Sequence, residues 1–238
     1  MPMKLKAVLF DLDGTLLPMS MDRFIARYFA TLGETMLIYG YEPKTLARSI
    51  MKGTEAMVKN DGTKTNEKAF WDAFASIYGE NARKDEAHFA RYYEENFDRV
   101  KEVTAPTARS AQVLSEIKAL GLRTALATNP VFPAVATEHR IEWAGLSSED
   151  FEFYTTYENT CYCKPNPKYY SSLLLKLGVT AEECLMVGND AVEDMAAAKI
   201  GMKVFLLTDC LLAPNDLDIS LYPQGGFDDL LAYIRTLL

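Results

Sequence analysis

Two carboxylates stand two residues apart at Asp11 and Asp13, directly behind the short apolar run Leu5 to Phe10. Like charges this close repel unless a cation or a network of donors absorbs them. A carboxylate so placed can act as a covalent nucleophile, splitting one hard displacement into two easier ones. A neighbouring acid can give a proton at one step and take it back at another. Gly14 lets the chain turn sharply after the pair, and amides of such a turn can face an anion. Asp-x-Asp-Gly also opens calcium loops, but those need further oxygen ligands close behind. Here Leu16, Leu17 and Pro18 follow, which excludes that loop.

Three further segments carry chemistry. Ala127-Thr128-Asn129 places a hydroxyl where an apolar run ends. Alone, such a threonine reads as a helix cap. Lys164-Pro165-Asn166-Pro167 sets a cation before two prolines, whose rings limit where the lysine can be projected. Val187-Gly188-Asn189-Asp190, with Glu193 and Asp194 behind it, supplies more hard oxygen donors. Mg²⁺ takes one or two carboxylates plus water and substrate oxygens, which suits this set. Glu193 and Asp194 also fit the first turn of a helix, where acids complement the dipole.

Val8-Leu9-Phe10-Asp11-Leu12-Asp13-Gly14-Thr15-Leu16 resembles the first signature of the haloacid dehalogenase-like hydrolases in their phosphatase form, and the other three segments resemble the remaining signatures in order. The resemblance covers residues 4–20 and 104–208. It implies that Asp11 is the nucleophile, forming an aspartyl-phosphate, and that Asp13 is the general acid–base. Thr128 and Asn129 would hold phosphoryl oxygens, and Lys164 would neutralise charge on the nucleophile and the phosphoryl group. Mg²⁺ would be held by Asp11, Asp13 and Asp190. Where the family commonly has Gly-Asp, this chain has Gly188-Asn189. Either Asp190 is the ligand with Asp194 paired to Lys164, or Asn189 takes the ligand position and Asp190 supports it; Asp190 is preferred. Dehalogenases of the superfamily lack an acid at the position of Asp13, so the resemblance implies a phosphatase acting on a small phosphorylated metabolite. A phosphomutase, a phosphonatase with an imine-forming lysine (Lys52 or Lys59), and a non-catalytic binding scaffold remain as rivals.

These residues converge only if the elements around them bring strand ends together. Leu5–Phe10, Leu122–Thr128, Phe151–Thr155, Cys184–Gly188 and Lys203–Leu207 read as strands, alternating with helices over Ala108–Leu120, Pro133–Ala144, Asn166–Leu177 and Val192–Lys199. That alternation predicts an α/β, Rossmann-like parallel sheet with helices on both faces. In such a sheet function gathers beyond the carboxyl ends of the strands, where Asp11, Thr128 and Asn189-Asp190 fall. Between the first two strands the pattern is helical: Met21–Tyr39, a helix after Pro43, Asn66–Tyr78 and Asp85–Val100. Residues 1–18 and 104–238 then form the catalytic core and 19–103 an inserted helical unit, placed like the family's type 1 cap. Arg23, Arg27 and Lys52-Gly53-Thr54 are candidate cap contacts to an anion. His88 and Trp71 read as cap core or surface.

The bulk composition agrees. The formal net charge of −8 with no compensating Lys/Arg cluster argues against nucleic acid and anionic membrane as partners. The opening Met-Pro-Met-Lys-Leu-Lys has no signal-peptide apolar region, and no run approaches the length needed to cross a bilayer. Cys161, Cys163, Cys184 and Cys210 show no CxxC spacing and read as free thiols, so the expected compartment is the cytoplasm.

Overall fold

Alternate residues of the strands divide between two apolar faces. Val8 and Phe10, Leu185 and Val187, and Phe205 and Leu207 pack into one cluster. Ala7 and Leu9, Cys184 and Met186, and Val204 and Leu206 pack into the other. A strand buried on both faces needs helices above and below it, which favours a parallel sheet. The computed structural model describes residues 4–238; the opening Met-Pro-Met of the expected leaderless N-terminus lies outside them. Strands β1 (Ala7–Phe10), β2 (Arg123–Leu126), β3 (Cys184–Gly188), β4 (Lys203–Leu207) and β5 (Gln224–Gly225) form one parallel sheet in the order β2-β1-β3-β4-β5. The Rossmann-like sheet with helices on both faces is the observed fold.

Helices α1 (Met21–Met36), α2 (Pro43–Val58), α3 (Asn66–Tyr78) and α4 (Glu86–Glu95) lie between β1 and β2. The rest of the chain contributes α5 (Ala108–Ala119), α6 (Ala134–Trp143), α7 (Pro167–Leu177) and α8 (Phe227–Thr236). Local chemistry sets several starts. The Glu42 carboxylate accepts from Lys44 and Thr45 amides, with Pro43 at the first position of α2, and the Thr65 hydroxyl accepts from the Lys68 amide at α3.

Three contacts fasten the helical insertion to the sheet. At its neck Met19 and Thr104 form an antiparallel bridge, and Ala105 N donates to Pro18 O at 2.8 Å. Asn66, fully buried at the start of α3, lies 3.2 Å from Pro130 O and 3.3 Å from Tyr162 O, while its own amide donates to Thr160 O at 2.9 Å. Asp98 accepts from the Trp143 indole at 2.8 Å and meets His139 at the same distance, both on α6.

Some segments depart from the sequence-based expectation. Phe151–Thr155 runs beside β2 with three backbone hydrogen bonds, yet only Leu126–Tyr154 counts as a bridge. The helix expected over Val192–Lys199 is a 3₁₀ segment, Asp194–Ile200, whose first carboxylate is drawn inward. The long helix expected to Val100 stops at Glu95 and continues as 3₁₀ turns over Phe97–Val103. The short edge strand β5 carries no apolar run and was not anticipated.

Gly53 lies where α2 crosses α3, and a Cβ there would collide with the Phe70 ring. The structure gives it a part in close helix packing. Gly53→Val should therefore destabilise the protein by about 1–3 kcal/mol through overpacking, read as a lowered midpoint in chemical denaturation. An unchanged midpoint would show that the α2–α3 contact is loose.

Candidate active site

The carboxyl ends of β1 and β3 lie side by side, because Phe10 pairs with Val187 and the Asp11 amide donates to Val187 O at 2.9 Å. Asp11 thus leaves the sheet beside Gly188 and Asn189. Gly14 (φ +86°) turns the chain away, and a side chain there would strike the Asn189 amide. The Ser110 hydroxyl holds the turn by donating to Leu16 O at 2.7 Å. The Thr15 hydroxyl lies 2.9 Å from Asn189 Oδ1 and 3.3 Å from Asp11 Oδ2, donating to one at a time.

Lys164 is buried at the centre. Its Nζ lies 2.8 Å from Asp11 Oδ1 and 2.6 Å from Asp194 Oδ1. Burial alone would push this ammonium down; the Asp11 and Asp194 carboxylates reverse that and hold it well above its ordinary value. Behind it, the Asn166 side chain accepts from the Lys168 amide and Pro167 opens α7, which fixes the lysine's approach. Asp194 fits because Gly188 has no side chain: a Cβ there would occupy the space of the Asp194 carboxyl. Asp194 Oδ2 also accepts from the Asp190 amide at 3.0 Å.

The remaining anticipated residues gather here too. Thr128, buried, lines the same cavity, and its carbonyl accepts from Thr155 and Tyr169 hydroxyls at 2.7 and 2.8 Å. Asn129 bridges: its Oδ1 lies 3.3 Å from the Lys164 amide, and its Nδ2 donates to Glu193 at 2.9 Å. Burial first, then the charges of Asp190 and Asp11, push the Glu193 carboxyl up to about 7, against the pull of Lys164. Asn189 and Asp190 are employed differently. Asn189 is buried, with Oδ1 toward Thr15 and Nδ2 donating to Cys210 O at 2.7 Å. Asp190 Oδ1 accepts from the Val192 and Glu193 amides, both at 2.8 Å.

One residue of the site gave no motif in the sequence. Arg140 of α6 is 1% exposed and its guanidinium pairs with Asp13 Oδ2. It also donates to Ala136 O at 3.1 Å and Thr137 Oγ at 3.2 Å, and lies over the Phe132 ring at 4.6 Å. Asp13 Oδ1 is buried with no partner among the described residues. Burial pushes the Asp13 carboxyl up, Arg140 pulls it down and Asp11 raises it again. An isolated arginine inside an otherwise ordinary amphipathic helix offers no signal of this kind.

The donor set is one of hard oxygens. Among the described residues no group of three or more His, Cys, Asp or Glu side chains is arranged around a metal position. Asp11 with the Asn189 amide oxygen and an oxygen of residue 13 still suit Mg²⁺, which completes its shell with water and substrate. Five acids (Asp11, Asp13, Asp190, Glu193 and Asp194) surround two cations, Lys164 and Arg140, so a further positive charge would be stabilised here.

The cavity above these groups encloses about 640 Å³. Trp71 and Thr54 line it, whereas Arg23, Arg27, Lys52, Lys59 and His88 do not. Arg27 pairs with Glu102 at 2.8 Å, Lys59 with Glu55 at 2.5 Å, and the His88 ring stacks on Tyr39 at 3.8 Å.

A parallel sheet that gathers carboxylates and a buried lysine at its carboxyl edge defines an α/β protein with its candidate site beyond the strand ends. A family model for haloacid dehalogenase-like hydrolases matches residues 5–201, and the chain belongs to that family. The pyrophosphatase PpaX of Bacillus velezensis is 25% identical over 200 residues, 84% of this chain and 82% of that protein. The phospholysine phosphohistidine inorganic pyrophosphate phosphatase of Bos taurus is 33% identical over 76 residues, 32% of this chain and only 28% of that protein's length. The fold matches YfnB of Bacillus subtilis, described as a HAD-hydrolase and solved bound to magnesium, with TM-score 0.57, 16% identity, and 98% and 99% of the two chains covered.

Removing the Arg140 charge leaves Asp13 buried beside Asp11 without its partner. Arg140→Met should cost about 3–5 kcal/mol of folding stability. Adding Asp13→Asn should recover much of that loss in a denaturation cycle. A double variant as unstable as the single one would mean that Arg140 acts through packing alone.

Proposed function

We propose that the chain is a Mg²⁺-dependent phosphatase that transfers the phosphoryl group of a small organic phosphomonoester to Asp11 and then to water. The observation that carries this reading is one pair of carboxyls at the head of the cavity. Asp11 Oδ1 is fixed by a buried lysine, while Asp13 Oδ1 is buried with no partner among the described residues. In the first step Asp11 attacks phosphorus as the ester P–O bond breaks, and Asp13 gives its proton to the departing alcohol oxygen. In the second, Asp13 takes a proton from water, which attacks the aspartyl-phosphate and releases inorganic phosphate. Lys164 orients Asp11 and offsets charge on the transferring group, and Thr128 and Asn129 position its oxygens.

Asp11, Asp13 and Asn189 would hold Mg²⁺, with Asp190 anchoring the loop through the Val192 and Glu193 amides. Bound there, the metal supplies positive charge to the phosphoryl oxygens. Asn189 is preferred over Asp190 because its amide oxygen already shares the Thr15 hydroxyl with Asp11. Residues 19–103 would act as the cap that shelters the reaction from water. The names of the relatives support phosphatase chemistry, as does magnesium in the YfnB structure.

Phosphate release from p-nitrophenyl phosphate and small phosphomonoesters should require Mg²⁺ and stop with excess EDTA. Asp11→Asn should abolish both turnover and the acid-stable, hydroxylamine-sensitive phosphoryl-enzyme, a loss of at least ~10³-fold in kcat. Near-normal turnover by Asp11→Asn would overturn the covalent assignment.

A further inference from the structure

The far wall of the cavity, formed largely by the helical insertion, is aromatic: Tyr28, Phe70, Trp71, Phe89, Tyr93 and Tyr157 line it. Trp71 packs edge-on against Phe70 and Phe89, with centroids 5.2 and 5.5 Å apart. Three carboxylic acids enter the same wall: Glu67 at the start of α3, Glu86 at the start of α4, and Glu158 from the loop before Lys164. Among the described residues no lysine, arginine or histidine lines the cavity. The two cations beneath it are already engaged, Lys164 with Asp11 and Asp194, and Arg140 with Asp13.

The three acids differ in freedom. Glu158 accepts from the Ala134 amide at 2.9 and 3.1 Å, and Glu86 lies 3.9 Å from Arg83. Among the described residues no cation offsets Glu67: burial first, then Glu158 and Glu86, push its carboxyl up. Its backbone is fixed, since its amide donates to Tyr157 O at 2.8 Å and its neighbour Asn66 is fully buried. The charges that act on Asp13 are Arg140, Asp11 and Lys164, a different set.

Anionic or polyhydroxylated leaving groups need donors or cations at the far end, and this one offers carboxylates and ring faces. Ring faces and carboxylates together attract an organic cation. Building on the phosphatase reading above, we propose that the substrate is the phosphate monoester of a cationic alcohol, its protonated or quaternary amine seated against Trp71, Phe70 and Tyr157 and facing Glu67. Inorganic pyrophosphate would instead bring a second anionic phosphate against Glu67.

The test compares phosphocholine with 3,3-dimethylbutyl phosphate, in which a neutral tert-butyl group replaces the trimethylammonium, using p-nitrophenyl phosphate and pyrophosphate as references. With Mg²⁺, kcat/KM should favour phosphocholine over its neutral isostere by about tenfold or more. Glu67→Gln should remove most of that ratio. Choline alone should quench tryptophan fluorescence saturably through Trp71, and 3,3-dimethylbutanol should do so far more weakly. Hydrolysis of p-nitrophenyl phosphate with equal kcat/KM for the two isosteres, or a preference for pyrophosphate, would overturn the cationic substrate and leave the phosphatase reading standing. No Mg²⁺-dependent release from any of the four would overturn both.

Discussion

The structure depends on one buried ammonium. Lys164 reaches the ends of two separate segments, Asp11 after β1 and Asp194 behind β3, and is itself positioned by the turn into α7. A charge so far from water is tolerable only with close counter-charges, and each carboxylate is tolerable only with the lysine. The arrangement therefore fixes the relative heights of three loops at the sheet's carboxyl edge. It also dictates glycines. Gly188 must lack a side chain for the Asp194 carboxyl to lie against the strand, and Gly14 must lack one for Asn189 to approach the first loop.

The same edge is coupled to the helical insertion through Phe132. Its ring lies under the Arg140 guanidinium and packs against Phe24 and Tyr28 of α1 and Phe97 at the insertion's end, with centroids 5.3–6.2 Å away. The arginine that meets Asp13 thus rests on the aromatic core of the insertion. Asn66 makes a second link, joining α3 to the loops that carry Asn129 and Lys164. A shift of the helices would disturb both contacts, so the cavity's far wall and its reactive end are held in one frame.

Much of this was legible in the sequence because it is local. Asp-x-Asp-Gly, Lys-Pro-x-Pro and the acids after Gly188 each sit within a few residues, behind runs whose apolar character marks buried strands. The boundaries of α3, β3 and β4 follow from the same local patterns. What escaped is what depends on distant partners. Arg140 is one charge on a short helix until the fold brings Asp13 to it, and Asn66 is one amide at a helix start until Pro130 and Tyr162 surround it. The division of labour between Asn189 and Asp190 stayed open because adjacent residues at a strand end point apart. Only the tertiary pairing with Thr15 and Cys210, against the amides of Val192 and Glu193, separates them.

The far wall was hidden for a different reason: its pattern is that of an ordinary helix. On α3 the spacing Glu67, Phe70, Trp71, Phe74 follows i, i+3, i+4, i+7, and on α4 the residues Glu86, Phe89, Ala90, Tyr93 repeat it. A first-turn acid complements the helix dipole, and the aromatics read as one core-facing stripe. The second description holds for Phe74, which is fully buried. Phe70, Trp71 and Phe89 pack in that core as well, and together with the first-turn acids Glu67 and Glu86 they also line the cavity. The β1–β3 edge gathers the reactive groups, while two matching helix faces set the charge and shape of what lies beyond them. An inward acid one turn from an aromatic face has no use in a dry core, where it would stand as an uncompensated charge.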